Sequence, residues 1–125
     1  MLDRILIFAP LRPLGGESLL ALRGLGAEVL AVERWEALEE ELRLHGAVLV
    51  LILSPLRGRP LAERVAALRA LVPRLQIFHL WWDYSEQGAV ERLLAGVNQI
   101  YTLPCAVERL RLRVARVLQE RRGRA

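Results

Sequence analysis

The chain has no lysine: all 18 of its basic residues are arginine. Aspartate is nearly absent as well, with only Asp3 and Asp83 among 14 acidic residues, so chemistry that needs clustered aspartates has little to draw on. The single cysteine, Cys105, excludes an internal disulfide and fits a reducing compartment. His45 and His79 do not combine with that cysteine in any zinc-ligand spacing, and neither a metal nor a cofactor is expected. The longest apolar run, Ala47 to Leu53, is too short to span a bilayer. No small-residue cleavage site follows the first apolar stretch, so no signal peptide is expected and the protein reads as cytoplasmic.

What is present is an apolar, arginine-, leucine- and alanine-rich chain. Hydrophobic residues make up 54% of its 125 positions, which excludes intrinsic disorder and provides for one domain with one core. The net charge of +4 permits an acidic partner or nucleic acid without requiring either. The residue usage is that of a GC-rich genome and suggests a bacterial thermophile, although lysine enrichment is the commoner thermophile signal.

Hydrophobic periodicity alternates between strand and helix to the end of the chain. Residues 4–9 form a short apolar run bounded by Pro10 and Pro13, the pattern of a buried strand. Gly15-Gly16-Glu17-Ser18 is expected to open a helix carrying Leu19, Leu20, Leu22 and Leu25, which Gly24 and Gly26 end. Residues 28–32 read as the second strand. Trp35, Leu38 and Leu42 follow at helical spacing opposite a glutamate-rich face, and Gly46 stops that helix. Residues 47–53 are apolar without alternation, as in a central parallel strand covered on both faces.

Residues 54–60 read as a loop with two prolines. Leu61, Val65, Leu68, Leu71 and Val72 define the third helix, closed by Pro73. Residues 76–82 form the fourth strand. Ser85 is placed to cap a fourth helix whose apolar stripe, expected to be buried, is Val90, Leu93, Leu94 and Val97. Residues 99–103 make the fifth strand. Val107, Leu110, Val114, Val117 and Leu118 are the expected core stripe of the last helix. Residues 1–120 form one domain on this reading, and 121–125 a frayed basic tail.

Five βα units imply an open parallel sheet with five helices on both faces. Right-handed crossovers favour the flavodoxin-like strand order 2-1-3-4-5, an α/β fold.

The second half resembles the receiver domains of response regulators. That family carries Leu-Thr-Ala, a helix, Ala-Gly-Ala-Asp-Asp-Tyr-Leu-x-Lys-Pro and a last helix rich in Glu, Arg and Leu. Here Leu80-Trp81-Trp82 leads, Ala95-Gly96-Val97 closes the fourth helix, and residues 98–104 end in Leu103-Pro104 with no gap in the spacing. The resemblance implies a CheY-like fold over essentially the whole chain.

It also locates a phosphorylation pocket whose residues have changed. The two metal-binding acids after the first strand correspond to Ala9 and Pro10. The phospho-accepting aspartate corresponds to Ile52 or Ser54, the Thr or Ser ending the fourth strand to Trp81 and Trp82, and the lysine before the proline to Leu103. Mg²⁺ needs hard carboxylate oxygens, and phosphoryl transfer needs charge neutralisation. On this reading the chain is a pseudo-receiver, not an enzyme, with Trp81 plugging the former pocket and Trp82 crowding its mouth. The two tryptophans also suit a stacking platform or a partner hot spot, though core filling is the plainer reading.

Partner binding is then the expected activity. Receivers often dimerise through their fourth helix, fifth strand and fifth helix. Here that surface would present Glu91, Arg92, Ile100, Glu108, Arg111 and Leu112, with Asn98 and Gln99 where the family has two aspartates and Ile100 at its aromatic switch position. A homodimer or another protein partner is expected.

Two other uses compete with this one. The last helix carries Arg109, Arg111, Arg113, Arg116, Arg121, Arg122 and Arg124, which could serve a nucleic-acid-associated regulator, although no nucleic-acid-binding motif accompanies them. A small ligand could sit at the carboxyl edge of the sheet, or an anion at a loop containing Gly15-Gly16 near Arg12, although no phosphate-loop motif is present. Ser54 has no nucleophile-elbow motif around it. Cys105 opens the last helix, whose N-terminus could lower a thiol pKa, but packing is the simpler role.

Overall fold

The computed structural model describes residues 2–82 and 84–123. Strands and helices alternate as β1 (Asp3–Phe8), α1 (Arg12–Ala21), β2 (Ala27–Val32), α2 (Trp35–His45), β3 (Leu49–Ile52), α3 (Gly58–Leu71), β4 (Gln76–Trp81), α4 (Glu86–Leu94), β5 (Gln99–Thr102) and α5 (Val107–Gly123). The strands pair in parallel in the order β2-β1-β3-β4-β5, the flavodoxin-like arrangement. Asp83 and residues 124 and 125, part of the expected tail, lie outside the described residues, while α5 stays helical through Gly123.

Each face of the sheet has its own core. Ile5, Ile7, Leu49, Leu51, Phe78 and Leu80 point toward α1 and α5, where they meet Leu22, Leu110, Val114 and Leu118. Leu6, Val50, Ile52 and Ile77 point the other way, against Trp35, Leu38 and Leu42 of α2 and Leu61, Val65 and Leu68 of α3. β3 is buried along its whole length, which is why its sequence shows no alternation. At the second core's rim Phe8 meets Trp35 edge-on, with centroids 5.1 Å apart, and the Arg64 guanidinium lies 4.4 Å over the indole.

Two helices begin earlier than the sequence pattern suggests, both for the same reason. α1 starts at Arg12 and contains Pro13 in its first turn, and α3 starts at Gly58 and contains Pro60. A proline there gives up no needed hydrogen bond, because the first helical N–H groups have no intrahelical acceptor. Gly15 and Gly16 therefore lie inside α1 and not in a loop. The Gly15 amide bonds to the Leu11 carbonyl, and a Cβ at Gly15 would lie 3.3 Å from that of Ala9 and 3.5 Å from that of Ala31. This glycine lets α1 close on the sheet, and the anion-loop expectation is dropped. Leu20 of α1 is exposed.

α4 departs most from its pattern. Ser85 caps it as expected, its Oγ accepting from the Gly88 amide at 3.0 Å. Val97 is buried just beyond it, but Val90, Leu93 and Leu94 face solvent, Leu94 being 83% exposed. The face turned to the protein carries Arg92, only 3% exposed. Around it lie the part-buried Gly88, Ala89, Ala95 and Gly96, small residues that let the helix approach closely.

Candidate functional site

At the carboxyl edge of the sheet the register brings the sequence-derived pocket residues together, with one exception. Phe8 pairs with Ile52, Ile52 with His79, and His79 with Ile100. Ile52 is thus an interior rung of the second core, fully buried and below the rim. Ala9, Ser54, Trp81 and Leu103 lie on the rungs above it. Ala9 and Leu53 extend the ladder through amide bonds of 2.9 Å to Val32 and Phe8, and the Leu103 amide reaches the Trp81 carbonyl at 2.8 Å.

Ala9 and Ser54 are buried, Pro10 is exposed, Leu103 packs against the first core, and the Leu103–Pro104 peptide is cis. Trp81 is only part-buried, less covered than core filling would make it. Trp82 is exposed and meets Trp81 edge-on at 5.0 Å.

The edge also holds a contact that the sequence did not announce. His79 is fully buried, and its Nε2 lies 2.6 Å from the Ser54 carbonyl oxygen. The carbonyl can only accept, so Nε2 carries a proton. Burial is the main cause of a lowered His79 pKa; the Ser54 bond opposes the shift, and the charges of Arg92 and Arg57 add to it. Above His79 a cleft of about 340 Å³ opens between the β3–α3 loop and α4, lined in part by Arg57, Tyr84, Gln87, Glu91 and Arg92. Burial also lowers the Arg92 pKa, with Arg57 contributing. A hint of this lay in the sequence: Gly88, Arg92 and Gly96 recur every fourth residue and share one face whose two glycines allow close approach.

The six residues expected on the α4–β5–α5 side separate. Leu112 stands out at 72% exposure, opposite the buried stripe of α5, and Glu108 is exposed. Glu91 lines the cleft beside α3, where its Oε1 lies 3.1 Å from the position a Gly58 Cβ would take. Ile100 is part-buried against the second core. Arg92 is a buried residue, because α4 is rotated. Arg111 points to the opposite side of α5, where its Nη1 donates to the Ala21 and Arg23 carbonyls at 2.6 and 2.8 Å and satisfies the end of α1. Asn98 is structural too: its Oδ1 accepts from Ile77 N at 2.8 Å and from Arg69 Nη2 at 2.6 Å.

What does occupy that side is the apolar ridge of α4, the open edge of β5 and a row of arginines. Arg113 lies near the Tyr101 side chain and opposes the rise of its pKa, which sets this flank of α5 beside β5. Arg109 and Arg116, one turn either way, share the flank. Among the described residues no carboxylate lies within ion-pair distance of Arg109 or Arg116. Arg122, by contrast, turns to Asp3 and the Gly26 carbonyl, so the arginines of α5 do not form one basic face. Burial raises the Tyr101 pKa, and it raises the Cys105 thiol as well, outweighing a backbone hydrogen bond and Arg109. Among the described residues no group of three His, Cys, Asp or Glu side chains could hold a metal ion, and no helix is long and apolar enough to cross a membrane.

Comparison with known proteins places the fold. No family model matches the sequence, and no curated protein matches it. Among solved structures, a CheY-like response regulator receiver domain from Methanospirillum hungatei JF-1 is similar over 100% of both chains, with 20% identity and a TM-score of 0.82. A response regulator from Thermotoga maritima is 16% identical over 95% of this chain and 99% of its own, with a TM-score of 0.85. The chemotaxis protein CheY4 of Vibrio cholerae is 16% identical over 94% of this chain and 99% of its own, with a TM-score of 0.79. The chain has the CheY-like receiver fold.

Proposed function

We propose that this protein is a receiver-like signalling module that accepts no phosphoryl group and acts in the cytoplasm by binding protein partners, a second copy of itself among them, through the α4–β5–α5 side. One observation carries the reading: the apolar stripe of α4, Val90, Leu93 and Leu94, faces solvent while the helix buries an arginine. Turning three large apolar side chains outward forgoes about 1–2 kcal/mol of burial for each, a cost that makes sense if a partner covers them. The unpaired charges of Arg109 and Arg116 across β5 would give that partner its orientation.

The carboxyl edge supports the other half of the reading. Receiver chemistry implies Mg²⁺ there, but the donor set does not fit it: Ala9 supplies a methyl, Pro10 a ring, Trp81 an indole, Leu103 an isobutyl group, and the Ser54 carbonyl already accepts from His79. No residue at the position of Leu103 can pair with a phosphoryl oxygen.

Two measurements test this. Beryllofluoride with Mg²⁺ should leave the tryptophan fluorescence unchanged; a saturable quench would show a working acceptor site. Partner capture from the source cell should drop for the Leu93→Glu/Leu94→Glu double variant, and equal capture by the parent and the variant would clear α4 of the role.

A further inference from the structure

We infer that His79 is an acid-sensitive latch that ties the β3–α3 segment, residues 54–57, to the sheet. The ring sits on β4 with no solvent exposure and holds the backbone of Ser54, itself 5% exposed, through a 2.6 Å bond. That bond fixes the neutral tautomer with the proton on Nε2. The other nitrogen, Nδ1, is buried and has no hydrogen-bond partner among the described residues. A proton added there would create a buried N–H without an acceptor and a buried charge.

Among the described residues, the cations beside the ring disfavour that charge. Arg92 presses from α4 and Arg57 from the β3–α3 loop, while Glu91 on α4 lies across the cleft beside Gly58. The neighbouring rungs, Ile52 and Ile100, are apolar. Protonation is therefore accommodated by the ring leaving its site, which breaks the Ser54 tether.

Leu56 of this segment packs on the second core. Within it the Leu56 amide turns back on the Ser54 carbonyl at 2.9 Å, and the Arg57 carbonyl begins α3 by accepting from Leu61 at 3.5 Å. Gly58 follows at φ 62°, a hinge conformation that favours glycine. Release would widen the cleft between Arg57 and α4 at the sheet edge, leaving the amino edge intact.

Amide exchange on the full chain, read as protection factors so that intrinsic pH effects cancel, tests the latch. Long-range nitrogen–proton correlation at pH 7 should show His79 protonated on Nε2 alone. Between pH 7 and pH 5 protection at Leu56 and Leu61 should fall by about twenty-fold, the ratio expected when the open form titrates near 6.5 and the closed form does not. His79→Gln, which can still donate to Ser54, should make Leu56 and Leu61 insensitive to pH over that range; if it does not fold, the parent's amides decide alone. A cationic or Nδ1-protonated ring at pH 7, flat protection at Leu56 and Leu61, or an undiminished pH response in a folded glutamine variant would each overturn the inference.

Discussion

Arg111 and Ala21 are ninety residues apart in sequence, yet the guanidinium of the first caps the helix of the second at 2.6 Å. A charged donor on two otherwise open carbonyls stabilises by about 1.5–3 kcal/mol. Arg111→Ala should lower stability by that order in urea titrations. Arg111→Lys should recover part of it, since an ammonium reaches the carbonyls without the planar fork. Neither should alter partner binding, because the residue is turned away from β5; a binding defect in a stable Arg111→Ala protein would contradict the assignment.

Gly15 and Gly16 are neighbours with opposite requirements. A side chain at Gly16 meets nothing within 4 Å, so Gly16→Ala should stabilise α1 by about 0.5–1 kcal/mol. At Gly15 even a Cβ crowds Ala9, and Gly15→Val should destabilise by about 1–3 kcal/mol through overpacking. Thermal midpoints of the two variants should move in opposite directions.

In α4 the polar residue should matter more for folding than the apolar ones. Arg92→Ala removes a long side chain that is 3% exposed and should cost about 2 kcal/mol or more, whereas Leu94→Ala, at 83% exposure, should stay within about 0.5 kcal/mol. Chemical denaturation of the pair checks the order. A larger loss at Leu94 would mean the stripe faces inward after all.

Stability should fall with acid in a window set by His79. Its folded pKa is lowered from 6.5, chiefly by burial, so the unfolded chain takes up a proton that the folded chain refuses. The stabilisation is complete above the unfolded value and is lost as the pH falls through it, with a slope of at most about 1.4 kcal/mol per pH unit. Urea midpoints at pH 7.5, 6.5 and 5.5 should show the decline. In His79→Gln the decline should be shallower by that amount.

The sequence by itself determined the sheet and its wrapping. Unbroken apolar runs such as residues 49–52 read as strands covered on both faces, and five strand segments separated by helical stripes admit few connections. It determined equally that Ala9, Pro10, Trp81 and Leu103 share one edge, since strand ends in a parallel sheet line up. Proline misplaced two helix starts because the sequence does not distinguish a proline that ends an element from one in a first turn.

Only the tertiary structure decided which way α4 turns. A stripe of leucines and a face of glycine, alanine and arginine are both plausible inner faces, and the choice depends on how closely the sheet and α3 let the helix approach. The same long-range packing decided that Ser54 meets His79 and that Arg111 meets Ala21, because contacts between distant segments leave no periodic trace in either one.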